Sequence, residues 1–330
     1  MNKNLLNQIY RNYYLQGDVI NEDYSSHWQS YVKSFSVKLD KEGSFLGLKG
    51  FGFGDQKTRN FFQKGMNWIN HLINFLNSDD KKGVFLLIKK AQKLCKLSES
   101  SVSFDVFKQI LSLNLIMKYM SAAVFNKQRS IFLVIGDGYG FMASLIKECF
   151  PNSLVILVDL GKTLLFQAYH CQRTHLHYKH EFFSGAIVKE CDFLYCPADK
   201  LNELSDALYA QELKIDVSVN IASMQEMTLK SIEKYFCFLR TNSSQENLFY
   251  CCNREKKTLI GGEALEIRKY PYESRDYFYA DEYCPWYKFF LTARPYLHKN
   301  KPKLMGIKLP FINYFDGALI HRLVRLDVYR

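Results

Sequence analysis

Three alternate glycines, Gly136, Gly138 and Gly140, follow an apolar run from Ile131 to Ile135. Asp159 closes a second apolar run, Leu154 to Val158, about 20 residues further on. Glycine carries no Cβ, so such a loop takes positive φ and lets a ligand lie against the main chain. An acidic residue at the end of the following strand can accept ribose hydroxyls. Together these residues describe a nucleotide-type cofactor site.

The elements that must position them are legible around the loop. The Ile131–Ile135 run is continuously apolar and largely β-branched or aromatic, as suits a parallel strand buried on both faces. A helix opens near Phe141, with Met142, Leu145, Ile146 and Cys149 at helical spacing, so its N-terminus points back at the glycines. A second crossover helix is expected over Leu164 to Gln172. A third strand is expected over Asp192 to Cys196, running into Pro197, Ala198 and Asp199. The fourth, Ile215 to Ile221, carries Asn220 near its end, and Thr228 caps the helix that holds Ile232, Tyr235 and Phe236. The fifth, Asn247 to Cys252, is followed by Asn253, Arg254, Glu255, Lys256 and Lys257. Every polar cluster falls at a strand's carboxyl end, where a doubly wound sheet puts its ligand.

A chain of 330 residues accommodates one large α/β domain and an accessory region. Strands and helices alternate from residue 123 onward, so we expect a Rossmann-like domain over 123–330 behind a helical cap over 1–122. The cap includes helices at Phe61 to Leu76 and Val102 to Met120. The stretch GLKGFGFGDQ, with glycines at 47, 50, 52 and 54, reads as a loop because no apolar strand precedes it. No apolar run approaches the ~18 residues that span a bilayer, and the N-terminus has no secretory pattern. Nine cysteines without a C-x-x-C pair point to reduced thiols in a cytosolic protein.

The net charge is +11, and its one local excess lies between Arg294 and Arg330, including Lys299, Lys301, Lys303, Lys308, Arg322 and Arg325. Three uses stay open for it: a solvated surface, attraction to anionic lipid or a diphosphate-bearing substrate, and nucleic acid. No arginine-rich run with interleaved aromatics supports the last. His170, His175, His177 and His180 cluster in sequence, but their spacing matches no zinc signature, so surface imidazoles and no metal are expected. Trp286 and the tyrosines at 270, 272, 277, 279, 283 and 287 suit either a core or sugar stacking.

The dinucleotide fingerprint places its third glycine at the sixth position, which here is Phe141. The G-x-G-x-G pattern instead resembles motif I of the class I S-adenosylmethionine-dependent methyltransferases. The succession VIGDGYG, LVDL, SMQEMT, IEKYF and LFYCCNREKK, over roughly residues 126 to 260, resembles the sugar O-methyltransferase family of that class. The resemblance implies a seven-stranded Rossmann-like sheet with the last strand antiparallel, and methyl transfer to a sugar hydroxyl in surface-polysaccharide biosynthesis. It further implies that Gly136, Gly138 and Gly140 floor the methionine moiety of S-adenosylmethionine and that Asp159, beside Leu160, holds the ribose. Cys196, Ala198 and Asp199 would lie near the adenine, and Asn220 at the cofactor's reactive end. The acidic residue that usually stands two before the first glycine is Val134 here, which leaves Asp137 to contact the ligand's amino group.

Methyl transfer needs an aligned acceptor oxygen and a group to take its proton. Glu226 is the expected base, with Gln225 orienting the sugar, and Asn253, Arg254 and Glu255 are expected to bind sugar hydroxyls or a substrate phosphate. The acceptor is left open among a free sugar, a nucleotide sugar and a lipid-linked glycan. Two other readings compete: a methyltransferase acting on nucleic acid or protein, and a Rossmann protein that is non-catalytic or binds nicotinamide. Against adenine methylation, the fourth strand ends N-I-A-S, without the prolines of an N-P-P-aromatic run.

Overall fold

The apolar runs form the middle of one eight-stranded sheet. Its strands are β1 (Ile131–Ile135), β2 (Leu154–Asp159), β3 (His180–Phe182), β4 (Phe193–Pro197), β5 (Ile215–Ile221), β6 (Ser243–Arg254), β7 (Tyr277–Tyr283) and β8 (Leu319–Arg325). Their spatial order is β7-β8-β6-β5-β1-β2-β4-β3. Strands β1 to β6 pair in parallel, and β8 runs antiparallel to both β6 and β7. The reversed last strand is as expected. The sheet exceeds the expected seven strands by the three-residue edge strand β3, which pairs with β4. The computed structural model describes residues 3–15, 25–27, 36–39, 45–49, 61–295 and 301–329. The glycines at 50, 52 and 54, together with Lys299 and Arg330, lie outside them.

From β1 the chain winds outward through β2 and β4, then returns to β5 on the other side of β1. The crevice at that reversal is where doubly wound sheets bind ligands. Register sharpens the point, because Ile135 stands beside Val158 and also beside Asn220. The glycine loop, Asp159 and the loop after β5 therefore leave the sheet at one level.

Alternation along the strands divides the core. Phe132, Val134, Val155, Leu157, Val217 and Val219 face one layer, while Ile131, Leu133, Ile135, Ile156 and Val158 face the other. The first layer holds α1 (Lys3–Tyr10), α3 (Lys81–Leu97), α4 (Phe104–Tyr119), α5 (Phe141–Cys149) and α6 (Gly161–Thr174); α2 (Phe61–Leu76) lies outside these, against α4. The second layer holds α7 (Leu201–Ala210) and α8 (Leu229–Asn242). Helix α4 is capped by Ser103, whose Oγ accepts the Val106 N–H at 3.2 Å, and α8 by Thr228, whose Oγ1 accepts the Ser231 N–H at 3.1 Å. Front and back share one core: Leu87 and Leu94 of α3 and Phe107 and Ile110 of α4 belong to the cluster that contains Phe132 and Val134. Leu5, Leu6 and Ile9 of α1 join it, and the Tyr13 ring fills the space a Cβ on Gly161 would need, 2.1 Å away. The front is not wholly helical, since Ser36–Leu39 pairs antiparallel with Phe45–Lys49.

Three of the four clustered histidines are interior, against expectation. His170, His175 and His180 are buried, and only His177 is exposed. His180 stacks on Phe193 with ring centroids 4.8 Å apart and bonds the Tyr195 hydroxyl at 2.9 Å. Burial pushes the His170 imidazole down to about 3 and His180 down to about 4. Among the described residues no group of His, Cys, Asp or Glu gathers as for a metal. The basic C-terminal stretch is likewise partly interior: Arg322 is buried and paired with Asp281 at 2.9 Å. No described helix is long and apolar enough to cross a membrane.

Candidate functional site

All three glycines of the loop hold positive φ: +69° at Gly136, +64° at Gly138 and +91° at Gly140. A Cβ on Gly136 would stand 1.9 Å from Ser223 Oγ, and one on Gly140 would stand 3.0 Å from the Gln167 main chain. The first glycine thus admits the loop after β5, and the third admits the close approach of α6. This is how Phe141 is tolerated at the sixth position: its ring is fully buried, with its centroid 5.9 Å from that of His170.

Asp137 caps α5. Its Oδ1 accepts the Met142 N–H at 3.0 Å and its Oδ2 the Ala143 N–H at 2.8 Å. Asp159 Oδ1 accepts the Leu160 N–H at 2.7 Å, and its Oδ2 accepts Gln167 Nε2 at 2.6 Å. Burial pushes the Asp159 carboxyl up to about 7 and Asp137 up to about 8, with the Asp159 charge adding to the latter.

The loop after β5 turns through Ala222 at φ +57° and is held by paired amides. Asn220 Nδ2 donates to the Ile135 carbonyl at 2.9 Å, and its Oδ1 accepts the Met224 N–H at 3.2 Å and Asn253 Nδ2 at 2.9 Å. Asn253 Oδ1 accepts the Gln225 N–H at 3.0 Å, while Gln225 Oε1 accepts the Arg254 N–H at 2.7 Å. Glu226 follows, ion-paired with Lys257 and with His27, whose Nε2 is 3.4 Å from Oε2. Burial acts to raise the Glu226 carboxyl, but hydrogen bonds from His27 and Lys257 outweigh it and hold the group below its usual range.

These loops surround a cavity of about 400 Å³, within the roughly 300–1,000 Å³ typical of small-molecule sites. Gly136, Asp137, Gly138, Asp159, Gln225 and Glu226 line it, as do Val134, Tyr139 and Ser223. Gly140, Leu160, Cys196, Ala198, Asp199, Asn220, Asn253, Arg254 and Glu255 do not line it. Cys196 is buried in the opposite layer and Asp199 is exposed. Asn220 and Asn253 are fully buried and occupied in holding the loop. Arg254 lies 3.5 Å from Asp316, and Glu255 pairs with Arg268 and the Tyr283 hydroxyl, each at 3.1 Å.

Part of the wall comes from far along the chain: His27, Asp105 and Gln109 of α4, and Tyr287. Gln109 Oε1 is buried without a hydrogen-bond partner among the described residues. Asp105 and Gln109 are one turn apart on a mostly apolar helix, a polar i, i+4 pair that marks a face turned to something other than core. His27 has no such local signature. The lining carries four carboxylates, Asp105, Asp137, Asp159 and Glu226, and neither lysine nor arginine.

No protein-family model matches the chain, and no curated protein matches it. Among solved structures it is similar to a precorrin-6y C5,15-methyltransferase from Geobacter metallireducens GS-15, at 8% identity and a TM-score of 0.32, covering 65% of this chain and 88% of that one. It is also similar to a candidate O-methyltransferase from Klebsiella pneumoniae, at 12% identity and a TM-score of 0.40, covering 81% of this chain and 100% of that one.

Proposed function

We propose that this chain is an S-adenosylmethionine-dependent O-methyltransferase whose acceptor is a sugar hydroxyl, in the making of surface polysaccharide. The observation that carries the reading is the make-up of the cavity wall: four carboxyl groups face the ligand space and no lysine or arginine does, with Lys108 paired to Asp105 and Lys257 to Glu226 outside that lining. Such a wall offers acceptors to amino and hydroxyl donors, lets a bound positive charge draw Asp137 and Asp159 into their ionised forms, and sets no cation facing the ligand to meet a diphosphate. S-adenosylmethionine fits on both counts, with its sulfonium, its amino group and its ribose, whereas the pyrophosphate of a nicotinamide cofactor does not. Gln109, in the same wall, carries a buried Oε1 without a hydrogen-bond partner among the described residues.

Bound there, S-adenosylmethionine would supply a methyl group already activated on sulfur. Asp159, held by Leu160 and Gln167, would accept the ribose hydroxyls, and the main chain at Gly136 and Gly138 would lie against the ligand. The proton of the acceptor hydroxyl must leave as its oxygen takes the methyl. Glu226 is poorly suited to receive it, being bound to Lys257 and His27. In our reading His27 is the base and Glu226 the residue that positions it. Through its contact with Nε2 the Glu226 carboxylate holds the imidazole and would stabilise the imidazolium that forms. Gln225 keeps a place in the wall from which to orient the acceptor.

The same wall favours an uncharged glycan over a phosphate-bearing group at the reacting end. Transfer of a labelled methyl group from S-adenosylmethionine to free sugars, nucleotide sugars and glycan fragments tests the reading. Turnover with a sugar acceptor supports it. Cofactor binding with transfer only to nucleic acid or protein would assign the chain to another acceptor class.

A further inference from the structure

Helix α2 is built inside out. Its buried residues are Asn67 and Asn70, while Phe61 is 89% exposed, Trp68 62% and Leu76 58%. Positions 61, 65, 68, 72 and 76 fall on one face at helical spacing, and Ile69 and Leu72 on that face are also exposed. The polar face, with His71 stacked on Phe107 and Phe75 against the core, does the packing. Asn70 Nδ2 donates to the Leu291 carbonyl at 3.0 Å while its Oδ1 accepts the Leu291 N–H at 2.8 Å. Gln63 Oε1 accepts the Ala293 N–H at 2.8 Å. A surface helix of a globular protein normally turns its apolar stripe inward, so this stripe is arranged for contact with something else.

The adjoining element repeats the arrangement. Lys303–Leu304 pairs with Ile307–Lys308 in a hairpin whose tip exposes Leu304 by 63%, Met305 by 96% and Ile307 by 72%. Its base closes through the Leu309 N–H bonded to the Pro302 carbonyl at 3.0 Å. Two residues on, the Phe311 ring meets Phe62 of α2 with centroids 5.5 Å apart. The N-terminal end of the stripe and the hairpin are therefore neighbours. Lys303 and Lys308 stand opposite each other across the hairpin, a like-charge pair that costs stability unless an anion lies beside it.

We propose that the apolar stripe of α2 and the Lys303–Lys308 hairpin form a surface that docks on an anionic lipid membrane. The charge pattern selects the partner. The sequence holds no Asp or Glu from residue 56 to 78, nor from 294 to 315, whereas Lys64, Lys303 and Lys308 are exposed. A second copy of the chain would set these lysines against their own images. An anionic bilayer neutralises them and takes up the phenylalanine, tryptophan and hairpin-tip side chains at its interface. The two signals together, apolar insertion and basic attraction, suit reversible membrane binding.

Flotation of the full-length protein with phosphatidylcholine vesicles, with and without phosphatidylserine, tests this. The surface predicts binding that needs the anionic lipid, falls at high salt, and drops about tenfold or more in Lys303→Gln/Lys308→Gln. Phe61→Glu/Trp68→Glu removes it as well, and because both residues are exposed the variant should keep the wild-type circular dichroism spectrum and ligand affinity. Absence of binding to either vesicle, or binding that survives both variants, would overturn the proposal. Self-association that Phe61→Glu/Trp68→Glu abolishes, without vesicle binding, would assign the stripe to a dimer instead.

Discussion

His27 Nε2 stands 3.4 Å from Glu226 Oε2, so a histidine from the N-terminal part of the chain is tied to the loop that follows strand β5. Glu226 is in turn fastened by Lys257. If His27 receives the acceptor's proton, His27→Ala lowers turnover about 10²–10⁴-fold and leaves S-adenosylhomocysteine affinity within about twofold. A His27→Ala enzyme with near-normal turnover would return the base to another residue. Glu226→Gln, which loosens rather than removes the imidazole, is expected to fall between wild type and His27→Ala.

Asp159 makes stability depend on pH. Its folded-state carboxyl is raised to about 7 from an unfolded value of about 4. Between these limits the folded chain holds a proton that the unfolded chain has lost, so its contribution to stability declines as pH rises through that window. Asp159→Asn removes the titration, and Gln167, whose Oε1 is buried without a partner, can rotate its amide to accept the new Nδ2–H. Urea unfolding should show the variant converging with wild type near pH 4 and gaining on it by up to about 1.4 kcal/mol per pH unit toward neutrality. The same variant should bind S-adenosylhomocysteine more weakly. A stability difference that does not change with pH would contradict the assignment.

Gly136→Ala brings a Cβ to within 1.9 Å of Ser223 Oγ at a φ of +69°. We expect a loss of about 1–3 kcal/mol together with loss of ligand binding. The second change Ser223→Gly should recover part of both, leaving only the strain of alanine at positive φ. Thermal melting and ligand titration of the single and double variants measure the coupling. Equal effects with and without Ser223→Gly would mean that the ligand, not the neighbouring loop, demands the glycine.

Asn253 and Arg254 separate two roles. Asn253→Ala leaves the Gln225 N–H and Asn220 Oδ1 each short of a partner and is expected to cost about 1–3 kcal/mol in chemical unfolding. Arg254→Gln, outside the cavity and beside Asp316, should leave both acceptor KM and cofactor affinity within about twofold. A selective rise in acceptor KM for Arg254→Gln would restore it as a substrate ligand.

What the sequence disclosed was local. β1, β5, α2, α5 and the Thr228 cap were legible because continuous apolar runs, helical spacing and capping residues act over a few neighbours. Asp159 and the glycines were found by their spacing within one β-loop-α-β unit. His27, Asp105, Gln109 and Tyr287 reach the cavity from distant parts of the chain, and no short-range pattern announces such a meeting. Asn220 and Asn253 look like ligands at strand ends, but each spends its amide on the other and on the loop. His180 looked like surface because its burial is supplied by Phe193 and Tyr195, from a strand that pairs beside it only in three dimensions.

The central claim is that a cavity walled by Asp105, Asp137, Asp159 and Glu226 accepts S-adenosylmethionine and rejects a diphosphate cofactor. Calorimetric titration of the purified protein with S-adenosylhomocysteine and, separately, with NAD tests it most directly. Micromolar binding of the first, weakened by Asp159→Asn, and no measurable binding of the second are expected. Binding of NAD, or of neither ligand, would contradict it.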